Sequence, residues 1–440
     1  MGKRDREDGF AAPAAAPVSA SRVALYTATR RALNASFASF VQRAHGANPD
    51  DLFVAACNAY LRNVRKLKAD FRDAIEAEGE AGAAAAAAAE AAPAGDLLIW
   101  GTGDNGQLGL GEDVGEETRP VVCSFGGGLP VVSVACGGMH TLALVRGGAV
   151  WSWGVNDEGA LGREANKYLP GSEDNPARVQ LPAGATATAL SAGDSHSAAL
   201  TATGQVLAWG MFRNSRGQFA FGPKVKIQRE AVVVELPGAR GRCVEIASGA
   251  DHMLALVEDG AVFSWGCAEK GRLGRMEQPR ADEVEKDDEG IKREQLTPAR
   301  VAPKRLKAAG HVACGAYCSY AVTRDGQLHS WGLNNYGQLA ADGVDLPPRY
   351  EPKLAELAPP GVRQVAAGEH HALVLTTDDC VYSFGRPTYG RLGRKGVDCK
   401  GDDFVPTPGL VTGFHAKVRS ICAGVAVSGA LTVDGTPYVW

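Results

Sequence analysis

The sequence lacks most of the signals that assign a function at once. It has no run of about 18 apolar residues, the length a membrane-crossing helix needs, so no membrane span is expected. Its ten cysteines are scattered, with Cys314 and Cys318 the closest pair and no CxxC spacing anywhere. That pattern argues against a zinc site and against a disulfide framework, and it fits buried thiols in a reducing compartment. A charge excess of one sign is missing too: 46 Lys and Arg stand against 50 Asp and Glu, a net charge of −4. Nothing global therefore draws the chain to nucleic acid or acidic lipid, and any such contact needs a local patch. There is no GxSxG elbow, no Walker lysine loop and no HExxH pair. Covalent catalysis is disfavoured, and neither metal nor cofactor is expected. An alanine-rich start could pass for a targeting peptide, but Pro13, Pro17, Asp5, Glu7 and Asp8 spoil it. A soluble cytosolic or nuclear protein is the expectation.

What the chain has in excess is glycine: 55 of 440 residues, against a usual share of about 7%. Outside a low-complexity tract, this implies many tight turns at positive φ. The glycines recur in phrases. WGTGDNGQLG at Trp100 returns as WGVNDEGALG, WGCAEKGRLG, WGLNNYGQLA and FGRPTYGRLG, each with its framing glycines five positions apart. The aromatic of the pair falls at 153, 209, 265, 331, 384 and 440, in steps of 56, 56, 66, 53 and 56 residues. Upstream of each lies a second phrase: CGGMHTLAL, AGDSHSAAL, SGADHMLAL, CGAYCSYAV, AGEHHALVL and CAGVAVSGAL. Each unit reads as about four short strands with glycine turns, one blade of a β-propeller. Such a unit buries its faces only by stacking on copies of itself. The aromatic before glycine is expected to anchor one blade on the next.

The first aromatic-Gly segment has no histidine phrase before it, and the last unit stops at Trp440. A closed ring would need one more of each phrase, so the last blade is expected to be incomplete and the chain cut at its C-terminus. Residues 1–76 read as a helical hairpin with a disordered start: Leu33, Phe37, Phe40 and Val41 share one helical face, and Tyr60, Val64, Leu67 and Phe71 another. Asn48-Pro49 fits an N-cap followed by first-turn proline. Residues 77–95 form an Ala/Glu/Gly linker, and 96–440 is the propeller.

The six copies allow an internal comparison. The third position after the phrase glycine holds His140, His196, His252, Cys318, His371 and Val427. A residue repeated at one structural position in so many blades suits an internal hydrogen-bonding device better than a ligand, and histidines spread round a ring cannot meet on one metal. The two positions between are mostly neutral; Asp194, Asp251, Glu369 and His370 are the ionisable exceptions. These positions are expected to precede the innermost strand and to line one rim of the central channel, where charge meets no packing need. A solvated turn residue is the plain alternative for each, and Asp104 has similar standing. One copy departs from the pattern: in WGMFRNSRGQF, Gly210 and Gly217 are seven apart. A loop extension is thermodynamically cheap. Yet Phe212 and Phe219 bracketing Arg213 and Arg216 on a projecting tip would be binding hot-spot types.

Taken together, GGMHT, NDEGALGR, AGDSH, FRNSRGQF, SGADH, CGAY, EHH and YGRLG resemble, in order, the regulator of chromosome condensation family, exchange factors for the small GTPase Ran. The resemblance covers about Asp96 to Trp440 and implies a seven-bladed propeller without covalent chemistry, in the nucleus. It implies that Phe212, Arg213, Asn214, Ser215, Arg216, Gly217, Gln218 and Phe219 form a β-wedge pressed on the GTPase. Asp104, His140, Asp194, Asp251, Arg275 and His370 are implied at the Ran-facing rim. Histones or chromatin are implied partners, although the family's basic N-terminal tail is missing, since MGKRDRED alternates its charges. Residues 24–73 resemble more weakly the helical region of the importin-α-binding nucleoporin, which implies importin-α as a partner. Replacing Phe212 and Phe219 is expected to slow GDP release with the fold intact. Two rivals remain: a non-catalytic scaffold of the superfamily, and a UV-B photoreceptor. The latter needs clustered interface tryptophans and GWRHT where this chain has GGMHT.

Overall fold

The computed structural model describes residues 95–440 except 166–167, 170, 277–288, 303, 307, 343–346 and 398–403. The hairpin read over 1–76 and the linker 77–95 lie outside the described residues, apart from Gly95, which bridges to Val131.

The chain opens on a two-stranded ribbon, β1 (Leu97–Thr102) with β2 (Glu116–Cys123). A first sheet follows: β3 (Val131–Cys136), β4 (His140–Val145), β5 (Val150–Gly154) and β6 (Ala177–Arg178). The second has β7 (Ala187–Ala192), β8 (His196–Thr201) and β9 (Val206–Gly210). Before its fourth strand comes a separate hairpin, β10 (Phe212–Asn214) with β11 (Gly217–Ala220); β12 (Gln228–Val234) then completes the sheet. The third is β13 (Cys243–Ser248), β14 (His252–Val257), β15 (Val262–Gly266) and β16 (Ala299–Arg300), with helix α1 (Glu289–Leu296) in its last connection. The fourth is β17 (Ala309–Cys314), β18 (Cys318–Thr323), β19 (Leu328–Gly332) and β20 (Arg349–Leu354). The fifth is β21 (Val362–Ala367), β22 (His371–Thr376), β23 (Val381–Gly385) and β24 (Val405–Leu410). The sixth has three strands, β25 (Val418–Ala423), β26 (Ser428–Thr432) and β27 (Pro437–Val439). All pairings are antiparallel and join consecutive strands, except that β9 pairs with β12 across the β10–β11 hairpin, and the first strands β3, β7, β13, β17, β21 and β25 pack in that order round a channel. The fold is an all-β propeller, as the repeats imply.

The second strand of each unit explains the apolar phrases. HTLALV, HSAALT, HMLALV and HALVLT are buried at every position because a sheet covers each face. The fourth strands lie at the perimeter, and Arg349–Leu354 keeps only one residue buried. The phrase glycine has a steric cause: a Cβ on Gly137, Gly193 or Gly249 would lie 2.1 Å from the histidine ring three residues on. The glycine and the histidine therefore recur together.

In every inner strand the register slips after its first paired residue. The next paired positions are Ser133, Ala189, Glu245, His311, Gln364 and Ser420. The three long side chains bridge to the following sheet. Glu245 Oε2 accepts from the Val312 amide at 3.2 Å, and Gln364 pairs both ways with the Ile421 backbone at 3.1 and 3.3 Å. His311 Nε2 accepts from the Val365 amide at 3.1 Å, so Nδ1 carries the proton and donates to Glu245 Oε1 at 3.0 Å. This buried ladder ties the third to sixth sheets at the channel wall.

Candidate functional site

The seams between sheets carry the repeated aromatic and histidine. Trp209 Nε1 and Ser197 Oγ both donate to the Ala160 carbonyl of the preceding turn, at 2.8 and 2.7 Å. Having donated there, the Ser197 hydroxyl accepts from His140 Nε2 at 2.8 Å. The same latch joins His252 to Ser319 and the Arg272 carbonyl, and His371 to Ser428 and the Arg391 carbonyl. Trp153 donates likewise to Gln107 O, 2.9 Å away in the turn of the opening ribbon. The internal-device reading of the histidines is thus the one the geometry takes. His140 is a correction to the rim expected from resemblance, being 1% exposed inside a seam.

The seam between the second and third sheets departs from this pattern. Where three other seams have Ser197, Ser319 or Ser428 it has Met253, as the fourth–fifth seam has Ala372, and both nitrogens of the fully buried His196 lack a hydrogen-bond partner. Burial pushes the His196 pKa down to about 3. Against that ring, at 4.7 Å between centroids, packs Phe212, the first residue of β10. Phe212 is 0% exposed and belongs to the core between these sheets, while Phe219 is half-buried beneath the Lys292 ammonium. This corrects the expectation of two aromatics on a projecting tip. They root the hairpin, and its apex is Arg213, Asn214, Ser215, Arg216, Gly217 and Gln218, with Asn214 Oδ1 accepting from the Arg216 amide at 3.0 Å.

Two carboxylates of the third sheet hold that apex. Asp251 Oδ1 accepts from the Arg213 amide at 2.7 Å. Glu269 accepts from the Ser215 amide with both oxygens at 3.1 Å, and from the Ser215 hydroxyl at 2.6 Å. The Arg213 guanidinium reaches Glu158 of the first sheet at 3.9 Å. The double spacing of the glycines therefore builds a two-stranded arm leaning across the ring edge. Gly266 must be glycine below it: its φ is +114°, and a Cβ there would stand 2.6 Å from the Asp251 carbonyl.

Beside the arm opens the channel mouth. The expected rim positions do surround it, but they follow the innermost strand instead of preceding it, because the repeat phrase spans the turn from first to second strand. Backbone hydrogen bonds run round this rim, from Gly138 N to Gly193 O, Asp194 N to Ala250 O, Ala250 N to Ala316 O and Ala316 N to Gly368 O, at 2.9–3.2 Å. Asp194, Tyr317 and Glu369 line the mouth. Asp251 lies behind Asp194, and its pKa is raised to about 6 by burial and the Asp194 charge, against the Arg213 amide and the Arg272 charge. Arg272, unnoticed in the sequence, stands 3.8 Å from Asp251 and over the Tyr317 ring. His370 lies between Tyr317 and Tyr336, with ring centroids at 6.2 and 4.8 Å. Burial and the Arg386 and Arg391 charges lower its pKa to about 4, so it is neutral at physiological pH.

Asp194, Asp251 and His370 are thus brought together at one mouth; Arg275 is not. Asp104 is exposed in the turn after β1. Arg275 is occupied elsewhere: Nε meets Ser264 Oγ at 3.1 Å, and Nη2 meets the carbonyls of Glu294, Gln295 and Thr297 at 2.9–3.2 Å. Arg163 makes the equivalent bond to Ser152 Oγ in the first sheet, so this arginine is a device for anchoring the last connection. The mouth holds carboxylates, an imidazole and aromatic rings without a nucleophile–base pair. Among the described residues no cluster of metal ligands occurs and no helix is long and apolar enough to cross a membrane. Tryptophans 153, 209, 265 and 331 are fully buried in seams, which leaves little for an exposed tryptophan interface.

A family model described as RCC1-like domain matches residues 96–440. The chain is 39% identical over 350 residues to the Drosophila melanogaster "Regulator of chromosome condensation", covering 79% of this chain and 60% of that protein. It is 34% identical to the Saccharomyces cerevisiae "Guanine nucleotide exchange factor SRM1", covering 78% of this chain and 77% of that one. Among solved structures, Prp20p of the same yeast superposes with a TM-score of 0.67 at 34% identity, over 79% of this chain and 81% of that one.

Proposed function

The chain belongs to the RCC1-like domain family, and on that premise we propose that it is a guanine-nucleotide exchange factor for the small GTPase Ran. One observation carries the reading: the spacing of the framing glycines is lengthened to raise an arm, and that arm stands beside the acidic channel mouth. The yeast relative named an exchange factor, and the described binding of Prp20p to Gsp1p and histones, support it. Chromatin is accordingly a proposed partner and the nucleus a proposed location. We count the β1–β2 ribbon as part of a seventh blade: LLIWGT occupies the place of VWSWG, and Trp153 packs on its turn as later tryptophans pack on theirs.

The mechanism is a binding exchange without covalent chemistry. A nucleotide held at picomolar strength corresponds to about 16 kcal/mol, and each tenfold gain in release rate needs roughly 1.4 kcal/mol off the barrier. Asp194, Asp251 and Glu369 dock a basic face of the GTPase at the mouth. The apex Arg213–Gln218 then presses on the phosphate-binding region, and the rigid seam transmits the docking energy to it. Coupling is reciprocal, so nucleotide weakens the protein complex by the same factor.

Release of labelled GDP from Ran, with and without this protein, tests the proposal. Acceleration is expected, and replacing Arg213 and Arg216 together by alanine should reduce it. Unaccelerated release would leave a non-catalytic scaffold as the function. Asp251→Ala is expected to weaken Ran docking by about 2–5 kcal/mol where the charge is paired and desolvated. A loss confined to thermal stability would make Asp251 a structural residue alone.

A further inference from the structure

We propose that Glu269 is the positioning residue of the arm: its carboxylate gathers both donors of Ser215 and so sets the pose in which the apex meets its partner. The inference rests on the exchange reading above but stands on separate geometry. A two-stranded hairpin is at best marginally stable in water. β10 and β11 hydrogen-bond only to each other among the described sheets, so tertiary contacts must fix their direction. Besides Phe219 beneath Lys292 and the long Arg213–Glu158 pair, three contacts are spaced along the arm. At the root, Phe212 is buried against His196. In the middle, Asp251 accepts from the Arg213 amide at 2.7 Å. At the apex, Glu269 accepts from the Ser215 amide at 3.1 Å and its hydroxyl at 2.6 Å.

Only the apex contact controls the angle of the tip, because a root and a midpoint leave the last residues free to swing. The turn bearing Glu269 has a shape shared with Thr388–Gly390 of the fifth sheet, where Tyr389 takes φ +63° and Arg391 Nε donates to the Thr388 carbonyl at 2.8 Å, so what distinguishes it is the side chain it carries. It is a 3-10 turn, Glu269–Gly271, in which Lys270 takes φ +61°, a left-handed conformation unusual for a residue with a Cβ. Arg272 Nε donates to the Glu269 carbonyl at 2.9 Å and braces it from below. The turn thus belongs to the third sheet while the arm it holds belongs to the second, so the clamp crosses a seam that lacks a serine latch. In the aligned turns the Glu269 position is filled by Asp104, Asp157, Asn335 and Thr388, all shorter side chains. The one long carboxylate stands next to the one projecting arm.

The test measures nucleotide release from Ran by Glu269→Ala, Glu269→Gln, Ser215→Ala and the Glu269→Ala/Ser215→Ala pair, beside hydrogen exchange of the Ser215 amide. A misdirected apex should lower kcat by about tenfold or more in Glu269→Ala with KM for Ran–GDP little changed. Glu269→Gln, which keeps a carbonyl acceptor, should recover part of the loss. The double variant should be no worse than Glu269→Ala alone, since both act through one contact. Protection of the Ser215 amide should fall in Glu269→Ala while the core strands keep theirs. Wild-type turnover in Glu269→Ala, additive losses, a change in KM alone, or an unaltered Ser215 amide would each overturn the proposal. A parent protein that does not accelerate release at all would remove the exchange reading instead, and the amide measurement would still decide the clamp.

Discussion

Two neighbouring seams of the same ring make opposite choices. Between the third and fourth sheets, Ser319 and Trp331 donate to the Arg272 carbonyl, His252 donates to Ser319, and the sheets are locked by hydrogen bonds. Between the second and third, Met253 replaces the serine, His196 is left without a hydrogen-bond partner, and Phe212 fills the space. The difference shows what the inserted arm costs. At the seam beside the lengthened turn, apolar packing of Phe212 takes the place of polar satisfaction. What is gained is an arm rooted in the core, held at its side by Asp251 and at its apex by Glu269.

Acid should erase the contrast, with the largest effect expected. His196 and His371 are held near pKa 3 and His252 well below the ordinary 6.5, all chiefly by burial. Their folded pKa lies below the unfolded value, so their contribution is complete above pH 6.5 and is lost as pH falls toward 3. At pH 5 His196 and His371 should each cost roughly 2 kcal/mol, and His252 adds to the loss in the same direction. Urea unfolding at pH 7.5 and 5 should show a fall of several kcal/mol, and equal stability would refute neutral burial of these rings. Phe212→Ala comes next, at about 3–5 kcal/mol for emptying a buried aromatic site. Gln218→Ala on the exposed apex should stay within about 0.5 kcal/mol. Equal midpoints for the two in denaturant titrations would mean that Phe212 does not root the arm.

Asp251→Asn probes the open seam from its charge. Its carboxyl pKa is raised to about 6, so the neutral form is favoured and stability declines as pH climbs through 6. Asparagine keeps the acceptor for the Arg213 amide without the charge. It should therefore stabilise the fold at pH 7.5 by roughly 2–3 kcal/mol and not at pH 4, while docking to Ran weakens. A stabilising change that leaves docking intact would remove Asp251 from the interface. The smallest effects compare the latches directly. Ser319→Ala should cost about 1–3 kcal/mol by stranding His252. At the open seam, Met253→Ser should be less damaging than Met253→Ala by about 1 kcal/mol, because the new hydroxyl can serve His196. Identical thermal midpoints for that pair would show that His196 cannot use a latch.

Much of this was legible in the repeat. Comparing six copies of the phrase identified His140, His252 and His371 as an internal hydrogen-bonding device, with His196 the exception, and pointed to Asp194, Asp251, Glu369 and His370 as rim positions, since a residue that breaks the repeat has no packing reason to be there. The same comparison misplaced Phe212 and Phe219 on a tip. Counting extra residues shows that a turn grows, not which of its side chains turn inward. Resemblance put Arg275 on the rim, where pairing with three carbonyls of a neighbouring connection has no linear signature. Glu269 and the Glu245–His311–Gln364 ladder went unread for the same reason, since their partners lie 54 or more positions away across a seam, and Arg272 meets Asp251 only in the folded ring.

The periodic glycines, the buried second strands and the aromatic anchors follow from the sequence alone, because each answers a local steric or apolar demand repeated about every 56 residues. The path of the arm, the neutral state of the seam histidines and the raised pKa of Asp251 were decided by tertiary structure. They depend on what the adjoining sheet places within a few ångströms, and a sequence read along its length does not contain that distance.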